Sequence, residues 1–113
     1  MAAVTIWHNP ACGTSRSVLT LLRDQGHDVR VTLYLQSPPD AATLAQVAAQ
    51  VGGAAALLRT RGTDAEARGL PTADEQTILA AMLADPMLIN RPVVIGPRGT
   101  VLARPPERAL DVV

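Results

Sequence analysis

Phenylalanine is absent from this chain, which has only one tryptophan and one tyrosine. Its core must therefore be aliphatic, built from Leu, Val, Ile and Ala. Lysine is absent as well. All ten cations are arginine, and ten Asp and Glu residues balance them. The lack of a basic excess argues against a general nucleic-acid or anionic-membrane binder. There is one cysteine, Cys12, so no internal disulfide can form, and a reducing, cytoplasmic setting is expected. One Cys with two His, at positions 8 and 27, makes no metal-ligand set. No apolar run approaches the ~18 residues of a membrane-spanning helix. The N-terminus lacks the basic region and apolar stretch of a signal peptide.

What is present suffices for one core. Apolar residues make up 48% of the 113, near the modal length for a single domain, so residues 1–113 are expected to form one. "AVTIW" at 3–7 reads as a buried strand, and "HNPACGTSR" follows as a turn-rich stretch. A helix is expected from Thr14, with Val18, Leu21 and Leu22 inward and Gly26 at its C-terminal cap. "VRVTLYL" alternates, placing Val29, Val31, Leu33 and Leu35 on one face and Arg30, Thr32 and Tyr34 on the other. This is a β-α-β unit with parallel strands. Asp40 is expected to cap a second helix with the stripe Leu44, Val47, Ala48 and Val51. "AAALLRTRG" suggests a helical turn, and 62–71 an irregular loop. Thr72 with Glu75 has capping-box spacing before a helix carrying Ile78, Leu79, Met82 and Leu83. "VVIG", the turn "GPRG" and "TVLAR" read as a β-hairpin, and a last helical turn holds Ala109 and Leu110. The expected fold is α/β and thioredoxin-like. It is a mixed four-stranded sheet (β-α-β, helical middle, β-β hairpin, terminal helix) flanked by helices.

Cys12 lies in the first β-α loop, at the carboxyl end of a parallel strand, where open α/β sheets bind ligands. The N–H groups of Gly13, Thr14, Ser15 and Arg16 open the helix and are available to an anion. A thiol so placed can fall from ~8.5 to between ~3.5 and ~7.5. The polar surround of Gly13, Thr14 and Ser15 suits an open, reactive thiol better than a packed one. "CGTS" resembles C-x-x-C with Ser15 at the second position; Ser15 can bond the sulfur but cannot resolve a disulfide. Any adduct on Cys12 must then be resolved by an external thiol. His8 either lowers the thiol pKa or shapes the loop, and Asn9 is a turn residue. Pro92, after Arg91, stands where a cis bond would suit this fold.

The opening "IWHNPACGTSR", with "LYLQSPP", "LLR", "LINRPVV" and "RPPE" in the same order and spacing, resembles the glutaredoxin-coupled arsenate reductases along essentially the whole chain. The resemblance implies reduction of arsenate to arsenite by a cytoplasmic monomer, with glutathione as co-substrate, glutaredoxin as partner and no bound cofactor. Cys12 then matches the catalytic cysteine. Arg59, Arg91 and Arg104 match the oxyanion-binding arginines, with Arg61 open as the alternative to Arg59. His8, Gly13, Thr14 and Ser15 match positions around the nucleophile. Arg61, Arg68, Arg98 and Arg108 otherwise read as solvated surface residues. Longer members of the family continue past "RPPE". Two other readings use the same thiol: a glutathione-linked thiol oxidoreductase, and a redox-sensing or regulatory binding module. A sensor needs no arginine trio.

Overall fold

Five apolar-rich residues form the strand on which the rest is built. In the computed structural model, which describes all 113 residues, Ala3–Trp7 is β1, followed by α1 (Gly13–Asp24) and β2 (Asp28–Thr32). Then come α2 (Ala41–Gln50), α3 (Ala54–Leu57), α4 (Glu75–Ala84), β3 (Val93–Gly96), β4 (Gly99–Leu102) and a terminal 3-10 helix, Pro106–Val112. The chain divides into two compact units: Met1–Ser37 with Arg91–Val113, and Pro38–Asn90. No helix is long and apolar enough to cross a membrane.

The first unit holds the sheet, in the order β2-β1-β3-β4. β1 runs parallel to β2, from Ala3 opposite Asp28 to Trp7 opposite Thr32, and antiparallel to β3, with Trp7 opposite Val93. β3 and β4 form the expected hairpin around Pro97 and Arg98. Val4, Ile6 and Val94 of the sheet pack with Val18 and Leu22 of α1 and with Ala109 and Val112 of the terminal helix. Each of the larger side chains, fully buried, contributes about 1.5–3 kcal/mol. α1 ends as a Schellman motif: the N–H of Gly26 bonds to the carbonyl of Arg23 and that of His27 to Leu22. Gly26 takes φ +82, which a residue without Cβ adopts freely.

The "VRVTLYL" strand is shorter than its alternation suggests. β1 ends at Trp7, so nothing extends the ladder past Thr32. The chain turns instead, with the N–H groups of Gln36 and Ser37 both bonded to the carbonyl of Leu33. That turn breaks the alternation. Tyr34, expected on the polar face, is fully buried, and Leu35 is exposed.

In the second unit, Asp40 caps α2 through the N–H of Thr43 as expected, and Leu44, Val47 and Ala48 are buried. α4 is capped by Asp74, accepting from Thr77, rather than by Thr72, which lies in a 3-10 turn, Leu70–Thr72. That turn replaces the end of the expected irregular loop. Glu75 serves a different helix: both its carboxylate oxygens accept from the N–H of Ala54 at 3.0 Å, at the start of α3. On α4, Ile78, Leu79, Ala81 and Met82 face inward and Leu83 is exposed. A single antiparallel bridge pairs Leu58 with Ile89.

The hairpin and the terminal helix are joined at Gly96. A Cβ there would stand 2.2 Å from the carbonyl oxygen of Val112, which already accepts from the N–H of Arg98. Gly96→Ala is therefore expected to displace the terminal helix and destabilise the protein by about 1–3 kcal/mol, the usual cost of overpacking. Urea denaturation checks this, and an unchanged midpoint would refute the close approach.

Candidate functional site

The sheet topology decides which residues meet at Cys12. The register puts Val93 of β3 opposite both Trp7 and Leu102. Two residues before Val93 is Arg91, and two beyond Leu102 is Arg104. The N–H of Ala103 bonds to the carbonyl of Pro92, carrying the pairing past the ladder. The two arginines, 13 positions apart, thus leave neighbouring strand ends side by side: Arg104 Nη1 donates to the carbonyl of Arg91 at 3.0 Å. The peptide bonds Arg91-Pro92 and Arg104-Pro105 are both cis. On the other side, β1 ends at Trp7 and the loop carrying Cys12 leaves from the same end of the sheet.

Cys12 is the N-cap residue of α1, with extended backbone at φ −94 and ψ 122, and its side chain makes no capping hydrogen bond. The thiol is 8% exposed, so the open surround expected from Gly13 and Thr14 is not found. The loop folds over it: the N–H of Cys12 donates to the carbonyl of Asn9, and that of Ala11 to Asn9 Oδ1. Arg104 Nη1 lies 3.9 Å from the sulfur.

Burial pushes the Cys12 thiol up, but the opposing effects win, and its pKa lies below the ordinary thiol value. In order of size these are the N–H of Ser15, the charge of Arg91, the guanidinium of Arg104 and the N–H of Thr14. Of the N–H groups expected to face the sulfur, that of Arg16 does not, because it donates to the carbonyl of Cys12 at 3.0 Å. No forced absence of a side chain explains Gly13: a Cβ there would meet only Arg16 Nη2, at an ordinary 3.6 Å.

Ser15 works through its backbone on the sulfur and through its hydroxyl elsewhere. Its fully buried Oγ lies 2.6 Å from His8 Nδ1 and accepts from the N–H of Asn9 at 3.0 Å. Between the two roles considered for His8, this geometry gives loop shaping. Burial lowers its pKa, and the charges of Arg23 and Arg16 lower it further, so the ring is neutral near pH 7. A neutral ring supplies no charge to hold a thiolate. Arg16, on the first turn of α1, ties the loop down through its side chain: its Nη1 donates to the carbonyl of Pro10 at 2.8 Å.

Arg59 lies in the second unit, just after the Leu58 bridge. Its N–H donates to the carbonyl of Leu88 and its Nε to the carbonyl of Arg61. Arg61 itself is exposed. Arg68 pairs with Asp64 at 3.5 Å, an exposed i,i+4 bridge. No group of three or more His, Cys, Asp or Glu residues could hold a metal ion.

Comparison with known proteins places the chain among relatives. The model of the ArsC family matches residues 7–112. An arsenate reductase of Rhizobium meliloti (strain 1021) is 45% identical over 112 residues, covering 96% of this chain and 80% of that protein. An arsenate reductase of Escherichia coli is 43% identical over 116 residues, covering 99% and 82%. The solved structure of an arsenate reductase from Vibrio cholerae superposes with a TM-score of 0.90 at 32% identity, covering 99% of this chain and 98% of that one.

Two outcomes follow from the geometry. Alkylation of Cys12 should be fast above a midpoint lying below that of an ordinary thiol, and should fade as pH falls through it. Arg91→Ala or Arg104→Ala should raise that midpoint; a midpoint at or above the ordinary value would contradict the site. Ser15→Ala strips a buried partner from both His8 and Asn9, at about 1–3 kcal/mol for each polar group left unpaired. The loss reads out as a lowered denaturation midpoint, and wild-type stability in this variant would refute the network.

Proposed function

Since the chain belongs to the ArsC family, we propose that it reduces arsenate to arsenite, with Cys12 as nucleophile and glutathione and glutaredoxin as the source of electrons. The observation that carries this reading is the pair of guanidinium groups at the thiol: Arg104 3.9 Å from the sulfur, and Arg91 beside it. Arsenate is a tetrahedral oxyanion, and a thiolate approaching it meets like charge. Two permanently charged forks offset that repulsion and bind the oxygens by charge-assisted hydrogen bonds. As negative charge builds on the oxygens, the same donors stabilise it. The part of Arg59 is supported by the sequence resemblance alone.

The proposed steps balance as follows. The Cys12 thiolate attacks arsenic, and one oxygen leaves as water after taking two protons. The glutathione thiol replaces a second oxygen in the same way. A glutaredoxin thiolate then attacks the glutathione sulfur. The sulfur–arsenic bond breaks with its electron pair on arsenic, which becomes trivalent, and a glutaredoxin–glutathione disulfide departs. Water releases arsenite and returns Cys12 as thiolate. The electrons come from two external thiols, which agrees with a chain whose one cysteine has Ser15 in place of a resolving partner.

Coupled arsenate reduction by the purified protein, with glutathione and glutaredoxin supplied, tests this. Cys12→Ser should abolish turnover. Arg91→Ala and Arg104→Ala should each lower kcat/KM about 10²–10³-fold, the range for losing one charge-stabilising donor. Wild-type turnover in Cys12→Ser would overturn the nucleophile. Turnover of a glutathione mixed disulfide in place of arsenate would favour thiol oxidoreductase chemistry.

A further inference from the structure

Beside the Cys12 loop, α1 and Pro106 of the terminal helix border an open groove of about 760 Å³, whose α1 side carries Gly13, Thr14, Arg16, Ser17, Thr20, Leu21 and Asp24. We propose that this groove seats the glutathione molecule that attacks the Cys12 adduct. The proposal rests on the thiol-driven reading above and adds to it a binding site for the reductant.

The helix period sets the layout. Arg16, Thr20 and Asp24 form one i,i+4 row, and Gly13 and Ser17 lie on the adjacent row. Successive members of a row stand about 6 Å apart along the axis. The groove floor from Gly13 to Asp24 is therefore about 16 Å long, against roughly 10 Å for an extended tripeptide. It begins at Gly13, the residue that follows Cys12 in the chain.

Two of the ligand's charged groups, the glycyl carboxylate and the ammonium, find opposite charges in the groove. Glutathione carries a glycyl carboxylate, a central thiol and a γ-glutamyl arm ending in a zwitterion. Arg16 spends Nη1 on the carbonyl of Pro10, and its guanidinium reaches back to Gly13, leaving donors for a carboxylate beside Cys12. With the thiol over Gly13, the γ-glutamyl arm lies over Ser17 and brings its ammonium to Thr20, below the carboxylate of Asp24.

Helix stability does not account for this row. Arg16 in the first turn and Asp24 in the last oppose the helix dipole. No hydrogen bond ties Thr20 or Asp24 to a neighbour as a local structural role would require, and both are exposed.

S-methylglutathione, which cannot react, provides the direct probe. Titrated into the protein and followed by amide NMR, it should shift the resonances of α1 from Gly13 to Asp24 and leave β2 unmoved. Thr20→Trp, which fills the middle of the groove, and Asp24→Arg, which reverses its far charge, should each weaken that binding about tenfold or more. In coupled turnover both should raise the KM for glutathione by a similar factor, with the KM for arsenate unmoved. Shifts located elsewhere, or equal affinity in both variants, would overturn the proposal. Because the titration needs no arsenate, a protein that fails to reduce arsenate would sink the functional reading while the NMR result still decides the groove.

Discussion

One buried sulfur whose pKa is lowered by helix N–H groups and two arginines together is the constraint on which the rest of the site depends. Taking a thiol out of water favours its neutral form. Cys12 is buried, yet its pKa is lowered, so the surrounding donors and charges outweigh that penalty. Arg104 does two things at once. One guanidinium nitrogen approaches the sulfur at 3.9 Å and also donates to the carbonyl of Arg91 at 3.0 Å. That second bond ties the Arg104 guanidinium to the backbone of the segment that carries Arg91.

The loop answers the same constraint from the opposite side. A thiol at a helix N-cap benefits from free N–H groups only if the turn holds them toward it. His8, Asn9 and Ser15 do that holding, with Ser15 Oγ at the centre. Ser15 occupies the place of a second cysteine in a C-x-x-C pattern. It gives up disulfide chemistry and serves as the pin of the loop, while its backbone N–H is the strongest favourable influence on the sulfur.

Much of this was legible residue by residue. β1, the hairpin and the caps at Asp40 and Gly26 stand where local pattern put them, because each depends on neighbours within a few positions. The misplaced features share one cause. "VRVTLYL" alternates to Leu35, but β1 runs out at Trp7 and the strand ends with it. Thr72 and Glu75 have the spacing of a capping box, yet Asp74 does the capping and Glu75 reaches 21 positions back to Ala54. The side-chain bond of Arg16 to a loop carbonyl is a contact that no periodicity reports.

The sequence by itself determined the parts: an aliphatic core, a lone thiol opening a helix, all cations of the forked kind, and the order of strands and helices. Those are matters of composition and short-range spacing, which a linear chain displays directly. Only the tertiary structure decided that Arg91 and Arg104 stand at Cys12, that the sulfur is covered, and that the pKa of His8 is lowered. Strand register and burial set these, because they depend on which distant segments pair and on what water they exclude.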